Sequence, residues 1–200
     1  LEGLPGVKLV EQASVPETKE VQEVMRSMIE QDGATAIFAT SFGYFKPHVL
    51  EMAQQFPDVQ FFHCSTLWEE GMPTNIGNYY ADIDDAQYVC GKVAAETAKS
   101  GKLGYVAAKP VNPVLRSINS FMLGAQSVNP AAKMQVIFTG DWNVPVKEAE
   151  ATNTLADQGV EVVGMHIDSP KVVVETAEKR GIYSSGFHTD QSSLAPKGYL

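Results

Sequence analysis

Short apolar runs alternate with amphipathic stretches along most of this chain, and that alternation restricts the fold more than any other feature. Ala34 to Ala39 (ATAIFA) is apolar without strict alternation, the pattern of a buried parallel strand, and Val59 to Cys64 (VQFFHC) reads as the next strand. A helix is predicted from Glu17 to Gln31, where Val21, Val24, Met25, Met28 and Ile29 form one stripe. Another is opened by Pro47 and runs through Gln55, with Val49, Leu50 and Ala53 facing in. A polar loop from Ser65 to Asn75 leads to Ile76–Ala81 and then to a helix from about Asp84 to Lys99. After Ser100-Gly101-Lys102 the pattern restarts. Strands at Leu103–Ala107, Met134–Phe138, Val160–Met165 and Ile182–Phe187 alternate with helices at Pro113–Ser127, Pro145–Gln158 and Pro170–Arg180.

Repeated strand–helix units predict an α/β fold of parallel sheets flanked by helices. The break near residue 101 divides it into two lobes, 1–101 and 102–200. Val7 to Ala13 is a further short, part-apolar stretch before the first helix. Asn112-Pro113 and Ser169-Pro170 each pair a capping side chain with proline at the first helical position. Pro47 and Pro145 suit the same first turn, and Gly159 and Gly181 fall where helices need a left-handed stop.

Charge narrows the partners. Twenty-four acidic residues against fifteen Lys and Arg give a net charge of −9, and no basic run offsets it locally. Such a surface repels phosphate backbones, so no nucleic-acid partner is expected. No stretch reaches the roughly 18 to 20 apolar residues of a membrane span. Leu1-Glu2-Gly3-Leu4-Pro5 lacks a basic start followed by an apolar run, so no signal peptide is read here. Cys64 and Cys90 have no C-x-x-C spacing, and the four histidines add no metal signature. The two cysteines read as buried thiols or, outside the cytosol, as a disulfide.

In open parallel sheets ligands bind beyond the carboxyl ends of the strands. Those ends carry Thr40-Ser41-Phe42-Gly43-Tyr44-Phe45, Ser65-Thr66-Leu67-Trp68 and Lys109-Pro110-Val111-Asn112. The second lobe adds Thr139-Gly140-Asp141-Trp142-Asn143, His166-Ile167-Asp168-Ser169 and His188-Thr189-Asp190-Gln191. Flat side chains beside a few amides, hydroxyls and carboxylates suit a planar heterocycle or a sugar. Each candidate also has a plainer role. Trp142 could roof its turn, Phe42 and Tyr44 could pack between helices, Asp168 could cap the helix at Pro170, and His188 and Asp190 could be loop surface. G-x-S-x-G, G-x-G-x-x-G and the phosphate-loop pattern are absent from the sequence. His63 and Cys64 are strand neighbours whose side chains point to opposite faces, so they form no dyad. Binding is therefore favoured over catalysis, with no catalytic residue, metal or cofactor expected.

Several of these segments recur together, in the same order, in one family. They are Phe38-Ala39-Thr40-Ser41-Phe42-Gly43-Tyr44, Gly101-Lys102-Leu103-Gly104-Tyr105-Val106, Ile118–Ala125 and Thr139-Gly140-Asp141-Trp142. Lys147–Ala151, Asp157-Gln158-Gly159, Asp168-Ser169-Pro170 and Ala195-Pro196-Lys197 continue the series. Over essentially its whole length the chain resembles the BMP (basic membrane protein, PnrA-like) family of ABC-transporter substrate-binding lipoproteins.

The resemblance implies a type I periplasmic-binding-protein fold whose two lobes close on a ligand, typically a purine nucleoside or nucleobase, for delivery to a membrane permease. It makes Trp142 the aromatic that stacks on the base and Ser41, Phe42, Gly43 and Tyr44 a first-lobe wall. His188 to Asp190 would face the ribose or the polar edge of the base. Nucleoside-binding relatives tend to carry a carboxylate where this chain has His188. Neutral imidazole offers one donor and one acceptor to a vicinal diol, whereas a carboxylate accepts twice, so a free base such as adenine is favoured. Against the family pattern an opening strand and the later hinge strands are missing, so an internal fragment is expected. It would be a monomer, with an exposed sheet edge that invites dimerisation. The family places the protein on the extracytoplasmic face of a membrane as a lipoprotein. A ligand-sensing regulatory domain of the same fold is the alternative function, ahead of a small nucleoside-processing enzyme.

Overall fold

The computed structural model describes residues 3–65 and 69–200, so Thr66, Leu67 and Trp68 of the second strand-end loop lie outside the described residues. By contact the chain divides into two compact units, residues 1–81 and 82–200.

The first unit holds a parallel sheet in the order β1 (Ala36–Ala39), β2 (Gln60–Cys64), β3 (Ile76–Tyr79). Helices α1 (Glu20–Glu30) and α2 (Leu50–Gln55) join it in one core, where Val21 and Met25 meet Ile37, Ala39, Phe61, Val49 and Met52. The strands show why one face is chosen. β1 alternates exposed and buried, so Ile37 and Ala39 point into the core while Phe38 is 49% exposed. Phe38 stacks on Phe62 of β2 at 4.9 Å and meets Tyr79 of β3 edge-on at 6.0 Å. The apolar run that predicts a strand covered on both faces thus spends its outward residue on a cross-strand aromatic ladder. Asn75 is buried ahead of β3, its side-chain amide reaching the carbonyls of Ala53, Phe56 and Val59 at 3.1, 3.1 and 2.8 Å. Val7–Ala13 joins neither sheet.

The second unit holds α3 (Ile83–Thr97), β4 (Lys102–Ala107), α4 (Asn112–Val128), β5 (Lys133–Phe138), α5 (Pro145–Asp157), β6 (Val162–His166), α6 (Pro170–Arg180) and β7 (Tyr183–Ser184). Its parallel strands lie in the order β5-β4-β6-β7. β4 reads out the two-residue period of a strand: Leu103, Tyr105 and Ala107 enter the core shared with α3 and α4, whereas Val106 enters the core shared with α5 and α6. Both faces are covered, and β6 is buried along its whole length.

The lobe boundary expected at 101 and the contact division at 81/82 differ by one helix. α3 belongs by packing with the second unit because its small residues let it press against α4. A Cβ on Gly91 would lie 1.9 Å from the Phe121 carbonyl oxygen, and one on Gly124 would lie 1.9 Å from that of Tyr88. At this crossing the two backbones touch, and Ala94, Ala95 and Ala125 are buried in the same core.

Helix ends follow the predicted chemistry in part. Gly181 closes α6 with φ +68°, and Gly159 after α5 has φ +80°. The two capping pairs behave differently. α4 begins at Asn112 itself, with Val111 as its cap residue, and no side chain caps it. Ser169 does stand at the cap of α6, but its hydroxyl donates to the Asn143 side-chain oxygen rather than accepting a helix amide. The last strand is shorter than predicted. Beyond Ser184 the chain turns, and the Phe187 N–H and C=O are both taken by the Gln191 side chain, at 3.2 and 2.7 Å.

Candidate ligand-binding site

In the first unit, the chain leaves β1 through Ser41 into a tight 3-10 turn, Phe42–Tyr44. His63 of β2 holds this loop from below. Its Nε2 donates to the Ser41 carbonyl at 3.1 Å, which leaves Nδ1 to accept the Ser65 hydroxyl at 2.7 Å. The ring is fully buried, stacked on Phe45 at 4.6 Å, and burial pushes its pKa down, so it stays neutral. Glu17 covers the loop from outside, its Oε1 accepting the Ser41 hydroxyl and the Gly43 N–H, the latter at 2.8 Å. Tyr44 turns its hydroxyl to the Val15 carbonyl and packs against the core, so its polar end anchors the preceding segment.

In the second unit an aromatic cluster forms beyond the carboxyl ends of β5, β6 and β7. Trp142 lies 6.4 Å from His166, His166 lies 4.7 Å from Phe187, and Phe187 lies 4.0 Å from His188. Trp142 is half-buried and packs against both cores of the unit. Its carbonyl accepts the Asp168 N–H at 2.7 Å, and its N–H donates to the Asp141 carboxylate at 2.9 Å. The ammonium of Lys109 sits 5.6 Å from the Trp142 ring centroid while pairing with Asp141 at 3.0 Å. One hydrogen-bonded turn and one cation therefore hold the indole in place. The Lys109 contact also holds the Asp141 carboxyl below the usual range.

His166 is the polar centre of this cluster. Ser117 gives its hydroxyl proton to the Pro113 carbonyl at 3.1 Å, so its oxygen is the acceptor for His166 Nδ1–H at 2.9 Å. Nε2 is then the unprotonated nitrogen, an acceptor set among aromatic rings. Burial, reinforced by neighbouring His188, lowers the His166 pKa to about 4. His188 adopts φ +68° and is itself pushed down by burial, against the opposing pull of Asp168.

Under the turn lies Glu148, fully buried. Its Oε1 accepts the Val144 N–H at 3.0 Å, and its Oε2 has no partner. Burial raises its pKa, and the nearby Asp168 adds to that.

The structure thus gathers Trp142, Asp168 and His188 in the second unit and Ser41, Phe42, Gly43 and Tyr44 in the first. Asp190 stands apart, exposed and bonded to the Ser192 N–H at 2.8 Å at the start of the turn Ser192–Leu194. Glu17, His63, Lys109, His166, Phe187 and Gln191 have no site role in the sequence reading, and the structure brings them to these loops. Glu17, His63 and Phe187 lie outside the strand-end loops of that reading. Lys109, His166 and Gln191 lie within them, and that position is the signal by which they could be found. Two shallow clefts of about 260 and 120 Å³ flank Ile182 and Tyr183, at the amino-terminal ends of β6 and β7, the end of the sheet opposite the cluster. Among the described residues, no group of three or more His, Cys, Asp or Glu could hold a metal, and both cysteines are free thiols. No helix among them is long and apolar enough to cross a membrane.

Parallel α/β units of this kind define the type I periplasmic-binding-protein fold. An ABC transporter solute-binding protein from Aeropyrum pernix shares it with a TM-score of 0.78 at 20% identity, over 92% of this chain and 55% of that one. The chain belongs to the family described as ABC transporter substrate-binding protein, PnrA-like, which it matches over residues 2–200. It is similar to a purine-binding protein of Brucella abortus, 42% identical over 174 residues, which are 86% of this chain and 48% of that protein. It is also similar to a Haloferax volcanii protein that carries the name of an ABC transporter glucose-binding protein, 35% identical over 85% of this chain and 42% of the other. The chain therefore spans less than half the length of these two relatives.

Proposed function

We propose that this chain is the ligand-binding part of an ABC importer's solute-binding protein and that its ligand is a purine, a free base such as adenine ahead of a nucleoside. One observation carries the proposal: Trp142 is fixed by its turn and by Lys109 beside a neutral His166 whose tautomer is set by Ser117. A flat heterocycle with N–H donors fits that combination, gaining affinity from stacking and orientation from the imidazole acceptor. The similarity to a purine-binding protein supports the same reading. His188 supports base over nucleoside, since burial pushes its pKa down and a neutral imidazole, with one donor and one acceptor, grips a vicinal diol less well than a carboxylate. Ser41, Phe42, Gly43 and Tyr44 are the candidate ligand contacts of the first unit, and Asp190 shapes the His188 loop. No bond is made or broken. A membrane permease is the partner, the protein works on the extracytoplasmic face as a lipoprotein, and the chain is a monomer.

Native mass spectrometry followed by thermal-shift titration with adenine, guanine, adenosine, guanosine, inosine and glucose tests this. A co-purifying purine, or a saturable rise in Tm with a purine and none with glucose, is the expected result. A rise with glucose alone overturns the purine assignment.

A further inference from the structure

Ser117 is fully buried in the second turn of α4, so bulk water does not compete for its hydroxyl. That hydroxyl has two neighbours, the Pro113 carbonyl at 3.1 Å and His166 Nδ1 at 2.9 Å. A carbonyl can only accept, so the hydroxyl proton goes to Pro113 and the imidazole must donate to the oxygen. His166 ends β6, keeps 7% of its surface exposed, and has a lone pair on Nε2 that no described residue engages. The rings of Trp142 and Phe187 lie 6.4 and 4.7 Å from it. Burial keeps the imidazole uncharged at neutral pH, so protonation does not turn this acceptor into a donor. An acceptor among aromatic rings discriminates by what it cannot pair with. A ligand N–H satisfies it, whereas a ligand oxygen at the same place sets two lone pairs against each other with little water to relieve them.

We infer that Ser117 determines specificity without touching the ligand: by holding the His166 proton on Nδ1 it makes the site take an amino-bearing ring edge and reject the same edge carrying an oxo group, so that a 6-aminopurine is preferred over its 6-oxo counterpart. The inference rests on the purine reading for the ring and narrows that reading to the class of substituent. His166 Nε2 is the contact, and Ser117 is the positioning residue behind it. The selectivity comes as much from the unpaired groups a wrong ligand would leave as from the bond the right one makes.

The test compares adenine and hypoxanthine by calorimetry on wild type, Ser117→Ala and Ser117→Thr. Wild type should bind adenine on the order of a hundredfold more tightly than hypoxanthine. Ser117→Ala leaves Nδ1 without its acceptor and frees the proton to move to Nε2. It should shrink the ratio by about tenfold or more, with adenine weakened and hypoxanthine strengthened, whereas a merely structural loss weakens both together. Ser117→Thr keeps the hydroxyl and should restore the wild-type ratio. A ratio unchanged in Ser117→Ala, or a wild type that binds hypoxanthine as tightly as adenine, overturns the inference. A second readout needs no ligand: long-range proton–nitrogen correlation spectra of the imidazoles at neutral pH should place the His166 proton on Nδ1 in wild type and shift it toward Nε2 in Ser117→Ala. That shift in a protein that binds no purine sustains the proton placement on which the inference turns, while the purine reading fails. A proton already on Nε2 in wild type, or the same tautomer in both proteins, overturns the inference whatever the ligand.

Discussion

His166 donates its Nδ1 proton to Ser117 at 2.9 Å, and Ser117 donates in turn to the Pro113 carbonyl at 3.1 Å. The relay joins the end of β6 to the first turns of α4 and decides which imidazole nitrogen carries the lone pair. The state of this histidine consequently belongs to the fold before any ligand arrives.

A pH dependence follows. An unfolded histidine titrates near 6.5, whereas His166 in the fold titrates at about 4. Between those values the unfolded chain binds the extra proton, so the contribution is full above about 6.5 and is lost as pH falls toward 4. Denaturant unfolding at neutral pH and near pH 4.5 should show wild type losing about 2 to 3 kcal/mol more than His166→Asn across that interval. Equal losses would show that His166 is not held neutral by burial.

The α3–α4 crossing should be intolerant of a single methyl group. Gly91→Ala or Gly124→Ala places a Cβ 1.9 Å from a backbone carbonyl oxygen of the facing helix. No side-chain rotation relieves such a clash, so the helices must separate. Each substitution should destabilise by about 2 to 3 kcal/mol, although alanine is the better helix former. Equilibrium unfolding of the two variants checks this, and a change below about 0.5 kcal/mol would mean that the helices do not meet at these glycines.

Glu148 should separate its charge from its hydrogen bond. Its pKa is raised by burial and by Asp168, so the native state holds the proton more tightly than the unfolded chain. Stability is therefore gained below the ordinary carboxylate range and lost as pH rises through the raised value. Glu148→Gln keeps an acceptor for the Val144 N–H and should be as stable as wild type, or more so, at neutral pH, with a flatter acid limb. Glu148→Ala loses that bond and should cost about 1 to 2 kcal/mol. Urea titrations of both variants decide it, and a Gln variant as weak as the Ala variant contradicts the account.

The strand–helix order was legible because periodicity and breakers are local. ATAIFA, LGYVA and the Pro-opened helices at Pro145 and Pro170 need no tertiary information, and they appear within a residue or two of where the pattern puts them. What was not legible depends on distant partners. α3 reads as the last helix of the first half until Gly91 meets Phe121, thirty residues on. Ser169 has the sequence of a cap, yet Asn143 claims its hydroxyl. The final strand stops because Gln191 folds back on Phe187. The site divides in the same way. Trp142, Asp168 and His188 are visible in the sequence as candidates at strand ends, and the structure places them near one another. Glu17, just ahead of α1, and Ser117, inside α4, are ordinary residues in the sequence, and only the folded chain gives them a task.

The central claim is that Trp142 and its neighbours bind a purine. Isothermal titration of wild type and Trp142→Ala with adenine, guanine, adenosine, guanosine and inosine tests it most directly. The account predicts saturable one-to-one binding of at least one purine by wild type, weakened roughly ten- to hundredfold in the variant. Purine binding that survives unchanged in Trp142→Ala, or no purine binding by wild type, would contradict it.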